Sequence, residues 1–467
     1  MPKYRQVYVP LSETNVSLNC ERVSRREMLA RGALGMGGIL LGNRLCSGGE
    51  AAKKSAAPAT KSKPEAKAKA VIQIWLSGGP PHTDTFDPKP EAGAEYTGPL
   101  KGFLETNVSG IRIGEKLPKL AKLADKYSLI RSMTHGNNGH ETAAYMVQTG
   151  HMPGGRLVYP AVGAVVAAFK GFQGDSNSLI PPYIVLTQPQ GRFSEAGFMG
   201  LRYKPFATGG DPNAARFAVE GIIAPDLSDA EQAHRRDTLG NTDQLAQAMG
   251  SHPEIAAANQ ATKEAYELII GDAGKVFDLS QEPDEVRQAY GRNTFGQACL
   301  AARRLVEAGV KYITINQFVW DTHKEHFQAM QRLLPNLDNG LGTLLTELSQ
   351  RGLLDSTLVW CCGEFGRTPK VDWGPTWNGG RHHFGAVFSV LVAGGGFKGG
   401  QVVGSSDSKG ESVRDRPVYP GDLIGSIYEL CGIDPDANLP HPMNEVIKAY
   451  PAAEEGLKLA GRLTEIM

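Results

Sequence analysis

Histidines and carboxylates in this chain gather where apolar runs end. "VWDTHKEHF" brings Asp321, His323 and His326 just past the run "YITINQF". In an extended strand exit, residues two apart point the same way, so Asp321 and His323 can reach one ion, while His326 falls on the following helix. Carboxylate oxygen and imidazole together suit zinc, manganese or iron rather than calcium. The competing reading makes Asp321 a helix cap and the histidines surface groups.

Three further segments carry the same residue types. "GEFGRTP" follows "DSTLVWCC" and supplies Glu364, placed to face a metal, and Arg367; "NGGRHHFG" supplies Arg381, His382 and His383. Either arginine offers a planar fork that fits an oxyanion, although a structural ion pair between Glu364 and Arg367 is the plainer assignment for those two alone. "THGNNGHETAAYMVQTGH" holds His135, His140, Thr142 and His151, and reads as a helix start at His140, where backbone N–H groups favour an anion. Asp84 follows the first apolar run in "VIQIWLSGGPPHTDTF". Two lookalikes carry nothing: "GGGFKGG" lacks the phosphate-loop lysine pattern, and no G-x-S-x-G elbow is present.

These segments must be positioned by the elements that precede them. "VIQIWL", "YSLIRSM", "PPYIVLTQ", "VKYITINQ", "STLVWCC" and "FSVLVAGGG" read as strands buried on both faces. "TFGQACLAARRLVEAG" and "HFQAMQRLLPNLDNGLGTLLTELSQRG" repeat leucines at helical spacing. Strands alternating with helices predict an α/β fold, a three-layer α/β/α sandwich around a mostly parallel sheet, with ligands at the carboxyl ends of the strands. Residues 205–290 are polar and alanine-rich, which predicts a helical insertion.

Forty-nine basic and forty-nine acidic residues leave no net charge, which argues against a dedicated nucleic-acid binder. Six scattered cysteines without a CxxC exclude a disulfide framework or a cysteine zinc site. Near the start, Arg25 and Arg26 precede a glycine-rich apolar run of about 13 residues, short of the ~20 that span a bilayer. That order predicts a twin-arginine export leader over 1–46, and so a protein of the periplasm or cell surface with no integral span once the leader is removed. Residues 47–70, rich in alanine and lysine with no bulky apolar side chain, predict a disordered linker; the folded domain is expected over 71–467.

The motifs "IWLSGGPPHTDTFDPKP", "HETAAYMVQTGH", "WDTHKEHF", "GEFGRTP" and "GRHHFGAVFSVLVAGGGFKGGQVVGSSD", with the arginine-pair leader, resemble the DUF1501 family of exported bacterial proteins over residues 71 to about 440. That family is similar to the alkaline phosphatase and sulfatase superfamily, which implies an alkaline phosphatase-like fold and a two-metal site. Carried over by position, Asp321 and His323 look like one metal pair with His382 or His383 as the late histidine. Glu364 falls where the second metal's aspartate is expected, and Asp84, or His82, where the early aspartate is. Phe365 replaces the partner histidine of that second pair, and the nucleophile position lands on His140, which has no hydroxyl. The resemblance implies one or two divalent ions, zinc, manganese or iron, and an exported hydrolase of phosphate or sulfate esters. Its substrate would be a small-molecule or polysaccharide ester, with His140 as general base, metal ligand or nucleophile and Arg367 or Arg381 stabilising the transferred group. The alternative is a non-catalytic relative that binds a glycan or a protein.

Overall fold

A computed structural model describes residues 64–171, 180–188, 195–214 and 272–467, with isolated positions between 217 and 238. The chain divides into two units, Met1–Lys61, wholly outside the described residues, and Ser62–Met467, which holds the sheet. The expected leader, most of the linker and most of the 205–290 insertion therefore lie outside the described residues. The first described end of that insertion is not helical, since Phe206–Ala207 pairs as a strand of the main sheet, while its far end carries two 3-10 turns, Asp272–Phe277 and Leu279–Gln281, and a helix, Asp284–Tyr290. At the other boundary the backbone N–H groups of Lys67 and Ala68 already donate to Leu430 O.

Eight strands form the main sheet: β1 (Ala70–Leu76), β2 (Tyr127–Met133), β3 (Tyr183–Leu186), β4 (Phe206–Ala207), β5 (Tyr312–Gln317), β6 (Thr357–Cys362), β7 (Phe388–Ala393) and β8 (Val402–Val403). Their order is β8-β2-β7-β6-β1-β5-β3-β4. β7 runs antiparallel to both its neighbours, and the other pairings are parallel. β1 is central because all seven of its residues are buried, as a strand covered on both faces must be.

The two faces of β1 feed two apolar layers. Ile72, Ile74 and Leu76 pack with α3 (Thr294–Glu307) and α4 (His326–Gln350) through Leu300, Leu305, Leu341 and Leu345. Val71 and Trp75 pack on the other side with α2 (Val162–Lys170) and α5 (Pro420–Leu430). The result is the expected three-layer α/β/α sandwich. On the α2 and α5 side of the sheet, α1 (His140–Thr149) packs against α5 and is tied to β1 by the Gln73 side-chain amide, which donates to Gln148 Oε1 at 3.0 Å.

Register decides what meets at the carboxyl edge. Leu76 pairs with Gln317 and Trp75 with Cys362, so the exits of β1, β5 and β6 leave the sheet side by side. Gly78 sits at φ +106°, a conformation that glycine adopts without strain, and an added Cβ there would come 2.3 Å from Asp321 N. That close approach sets the β5 exit against the β1 exit. A two-residue ribbon, Gly366–Arg367 against His383–Phe384, then folds the late histidines back over the same edge.

Candidate metal centre

Asp321 and His323 leave β5 pointing to the same side, as alternation requires, and the ribbon delivers His383 to them. Asp321 Oδ1 lies 3.1 Å from His323 Nε2 and 3.1 Å from His383 Nε2, and the two nitrogens are 2.9 Å apart. The opposite ring nitrogens fix where the protons are. His383 Nδ1 meets the carbonyl oxygen of Asn138 at 2.8 Å, an acceptor only, so Nδ1 donates and a neutral ring turns a bare Nε2 inward. His323 Nδ1 contacts His382 Nδ1 at 3.0 Å, and His382 Nε2 contacts Asp372 Oδ2 at 3.0 Å. With His382 donating to the carboxylate, its Nδ1 accepts from His323 Nδ1–H, and His323 also presents a bare Nε2.

Two nitrogen lone pairs and a carboxylate oxygen about 3 Å apart repel one another unless a cation lies between them. Ligand bonds of ~2.0–2.2 Å at right angles place neighbouring donor atoms about 3 Å apart, and tetrahedral angles about 3.4 Å apart. The observed edges fit one face of such a coordination sphere. Two imidazoles and one carboxylate suit zinc, manganese or iron. His140, Asp321 and His383 likewise offer donor atoms within 4.8 Å of one another.

His140, the first residue of α1, joins the cluster from the other side. Its Nδ1 is 2.6 Å from Glu364 Oε1 and its Nε2 is 3.4 Å from Asp321 Oδ2. Hydrogen bonding to Asp321 and then to Glu364 raises its pKa to about 9 against the opposing effect of burial. Partial burial alone would raise the Asp321 carboxyl, but hydrogen bonds from His140 and Arg367, with the His383 ring close by, outweigh it and hold the group well below the usual carboxylate range. Glu364 is buried; its Oε1 also accepts from Gly78 N at 2.9 Å, while its Oε2 has no hydrogen-bond partner among the described residues. Phe365, where a histidine was expected by resemblance, stacks on His383 at 4.6 Å. A cavity of ≈ 310 Å³ opens beside these groups, lined by Trp75, Ser77, Gly78, His140, Glu141, Ala144, Gln148, Phe318, Asp321 and Glu364.

Asp84 and Arg381 are not brought to this cluster. Asp84 is buried with Oδ1 2.9 Å from Arg381 Nη2 and Oδ2 2.7 Å from His326 Nε2, a closed unit whose carboxylate has no oxygen left for a metal. Arg381 gives its remaining donors to the carbonyls of Thr368, Pro369 and Tyr96, so it is a structural anchor and not an oxyanion clamp. Arg367 is similarly committed: buried, it donates to the carbonyls of Gly78, Gly79 and Arg381 and to Asp321. It holds the Asp321 carboxylate in place. His82 is buried apart from the cluster, 2.9 Å from Gly410 O. His382 sits behind His323 and does not face Asp321. His135 accepts Asn137 N–H at Nδ1 and so donates from Nε2 to Glu364 O, supporting the strand exit. Asp372, Asn138 O and Ser77 went unremarked in the sequence. Asp372 and a backbone carbonyl carry no motif, whereas Ser77 could have been found as the hydroxyl next to the Gly-Gly exit.

The family model described as "Protein of unknown function (DUF1501)" matches residues 68–449. The chain belongs to the DUF1501 family. No curated protein matches its sequence. Among solved structures, this DUF1501 protein is similar to the lipoteichoic acid synthase LtaP from Listeria monocytogenes, with 9% identity over 84% of this chain and 77% of that one and a TM-score of 0.37. It is similar to the PsFucS1 sulfatase from Pseudoalteromonas sp., at 14% identity, 86% and 73% coverage and a TM-score of 0.35. A protein of the alkaline phosphatase superfamily from Vibrio parahaemolyticus shares 13% identity, 85% and 74% coverage and a TM-score of 0.34.

Proposed function

We propose that this DUF1501 protein is an exported, metal-dependent hydrolase of phosphate or sulfate esters, with Asp321, His323 and His383 as metal ligands and Glu364 beside them. The observation that carries the reading is the convergence of Asp321 Oδ1, His323 Nε2 and His383 Nε2 within 3.1 Å, with both outer ring nitrogens occupied by protein acceptors. A bound divalent ion supplies Lewis acidity toward an ester oxygen and lowers the pKa of a water.

The chain's own groups take the remaining roles. His140, held firmly by Glu364 at Nδ1 and loosely by Asp321 at Nε2, is placed to move a proton at Nε2 on the cavity side. The first turn of α1 starts at Gly139 without a side-chain cap, and His140, Glu141 and Ala144 of that helix line the cavity. Its backbone N–H groups, and not the saturated arginines, are the anion-binding element of the site. Trp75 and Phe318 give the cavity an apolar wall that limits water around the reacting ester. Residues 1–46 act as the export leader and the residues from 47 up to the first backbone pairing at Lys67 as a linker in this reading, and no helix of the described residues is long and apolar enough to cross a membrane. The substrate class is a small or polysaccharide ester outside the cytoplasm.

A second reading, a non-catalytic protein that binds a glycan or a protein, is favoured by one observation: His140 occupies the start of α1 without a hydroxyl, and both its nitrogens are engaged. Turnover of 4-nitrophenyl phosphate and 4-nitrophenyl sulfate by the metal-loaded chain separates the two. Release of nitrophenol that vanishes in Asp321→Asn supports the hydrolase. A metal-loaded wild type inert toward both esters favours the binding protein.

A further inference from the structure

His382 neighbours a cluster ligand in sequence, but its place in space is different. His382 immediately precedes the ribbon, its carbonyl accepting from Thr368 N at 2.9 Å, and neighbours in extended chain point to opposite sides, so His383 faces Asp321 while His382 lies behind His323. The chain Asp372 Oδ2, His382 Nε2, His382 Nδ1, His323 Nδ1 has two links of 3.0 Å each. Trp377 packs edge-on against the His382 ring at 4.9 Å and keeps it in that plane. Asp372 is itself held, its Oδ1 accepting Gly374 N at 2.9 Å.

We propose that His382 is not a metal ligand but a positioning residue, which together with Asp372 fixes His323 in the tautomer whose bare Nε2 faces Asp321 and His383. This rests on the metal-dependent reading above only for its purpose; the proton arrangement itself does not need an ion. Asp372 accepts the Nε2 proton, which leaves His382 Nδ1 as the acceptor, and among the described residues the donor it meets is His323 Nδ1–H. The opposite arrangement, with His382 carrying both protons and His323 donating from Nε2 to Asp321 Oδ1 or His383 Nε2, would use up the lone pair that faces the cluster. The relay therefore decides whether His323 can bind a cation. Outer contacts of this kind orient a ligand and typically change metal affinity by about 10–100-fold.

Histidine-selective nitrogen NMR on the full chain without metal reads the His323 tautomer directly, and competition against a chromophoric chelator reads its zinc affinity. Wild type is expected to carry the His323 proton on Nδ1. His382→Ala should mix the tautomers and weaken zinc by roughly 10–100-fold while leaving the zinc content at saturation unchanged. Asp372→Ala, one link further away, should act in the same direction. His382→Asn, whose amide oxygen replaces the Nδ1 acceptor, should recover most of the affinity. A wild-type His323 protonated on Nε2 overturns the proposal, as does loss of saturable zinc in His382→Ala with normal circular dichroism, since His382 would then be a ligand. A wild type that takes up no zinc yet shows the Nδ1 tautomer supports the relay and sinks the hydrolase reading instead.

Discussion

At the residue scale, the chain separates two arginine-paired carboxylates that look alike in sequence, one buried and one exposed. Asp84 and Asp321 each meet an arginine, yet Asp84 is closed on both oxygens while Asp321 turns one oxygen to two bare nitrogens. Asp84→Ala leaves Arg381 buried and uncompensated, so chemical denaturation should show a loss of about 3–5 kcal/mol with unchanged metal per folded chain. A metal content that fell in the folded fraction would return Asp84 to the site. The position of Asp321 and His323 was legible because alternation along a strand exit is a local rule. Asp84, Arg381 and Arg367 were not, because their partners are backbone carbonyls and residues up to 297 positions away, and neither leaves a mark in the sequence. "RHH" left His382 and His383 open for a similar reason: alternation along extended chain shows that only one can face Asp321, but not which.

At the element scale, the site depends on three parallel exits meeting in register and on a ribbon folded across them. The strands were legible from continuous apolar runs, since a strand covered on both faces has no polar positions to confuse its reading. The turn that joins the exits was less so. Gly78 holds the β1 exit against Asp321 and donates its N–H to Glu364, so Gly78→Ala should push the β5 exit away. The expected result is a lower melting temperature and a metal affinity reduced at least tenfold, measured by differential scanning fluorimetry and chelator competition. Unchanged affinity would mean that the β1 exit does not set the geometry of the ligands.

At the scale of the whole molecule, packing of the segments on either side of α1 withdraws two histidines from water and keeps them neutral. Burial lowers His135 and His151 to about 4, against 6.5 for an ordinary histidine. Between those values the unfolded chain binds protons that the folded chain does not, so the contribution of these two rings to stability should be complete above about pH 6.5 and fall as pH drops toward 4. Urea midpoints across that window check the sign; a midpoint that rises on acidification contradicts the burial of neutral rings. A bound ion should add to stability in proportion to the logarithm of its concentration over its Kd. The most direct measurement is elemental analysis of the purified full chain and of Asp321→Asn, with metals left in place during purification. Near-stoichiometric zinc, manganese or iron in wild type, lost in the variant, is the result the convergence of Asp321, His323 and His383 predicts. A folded wild type that carries no transition metal and takes none up on addition would contradict it.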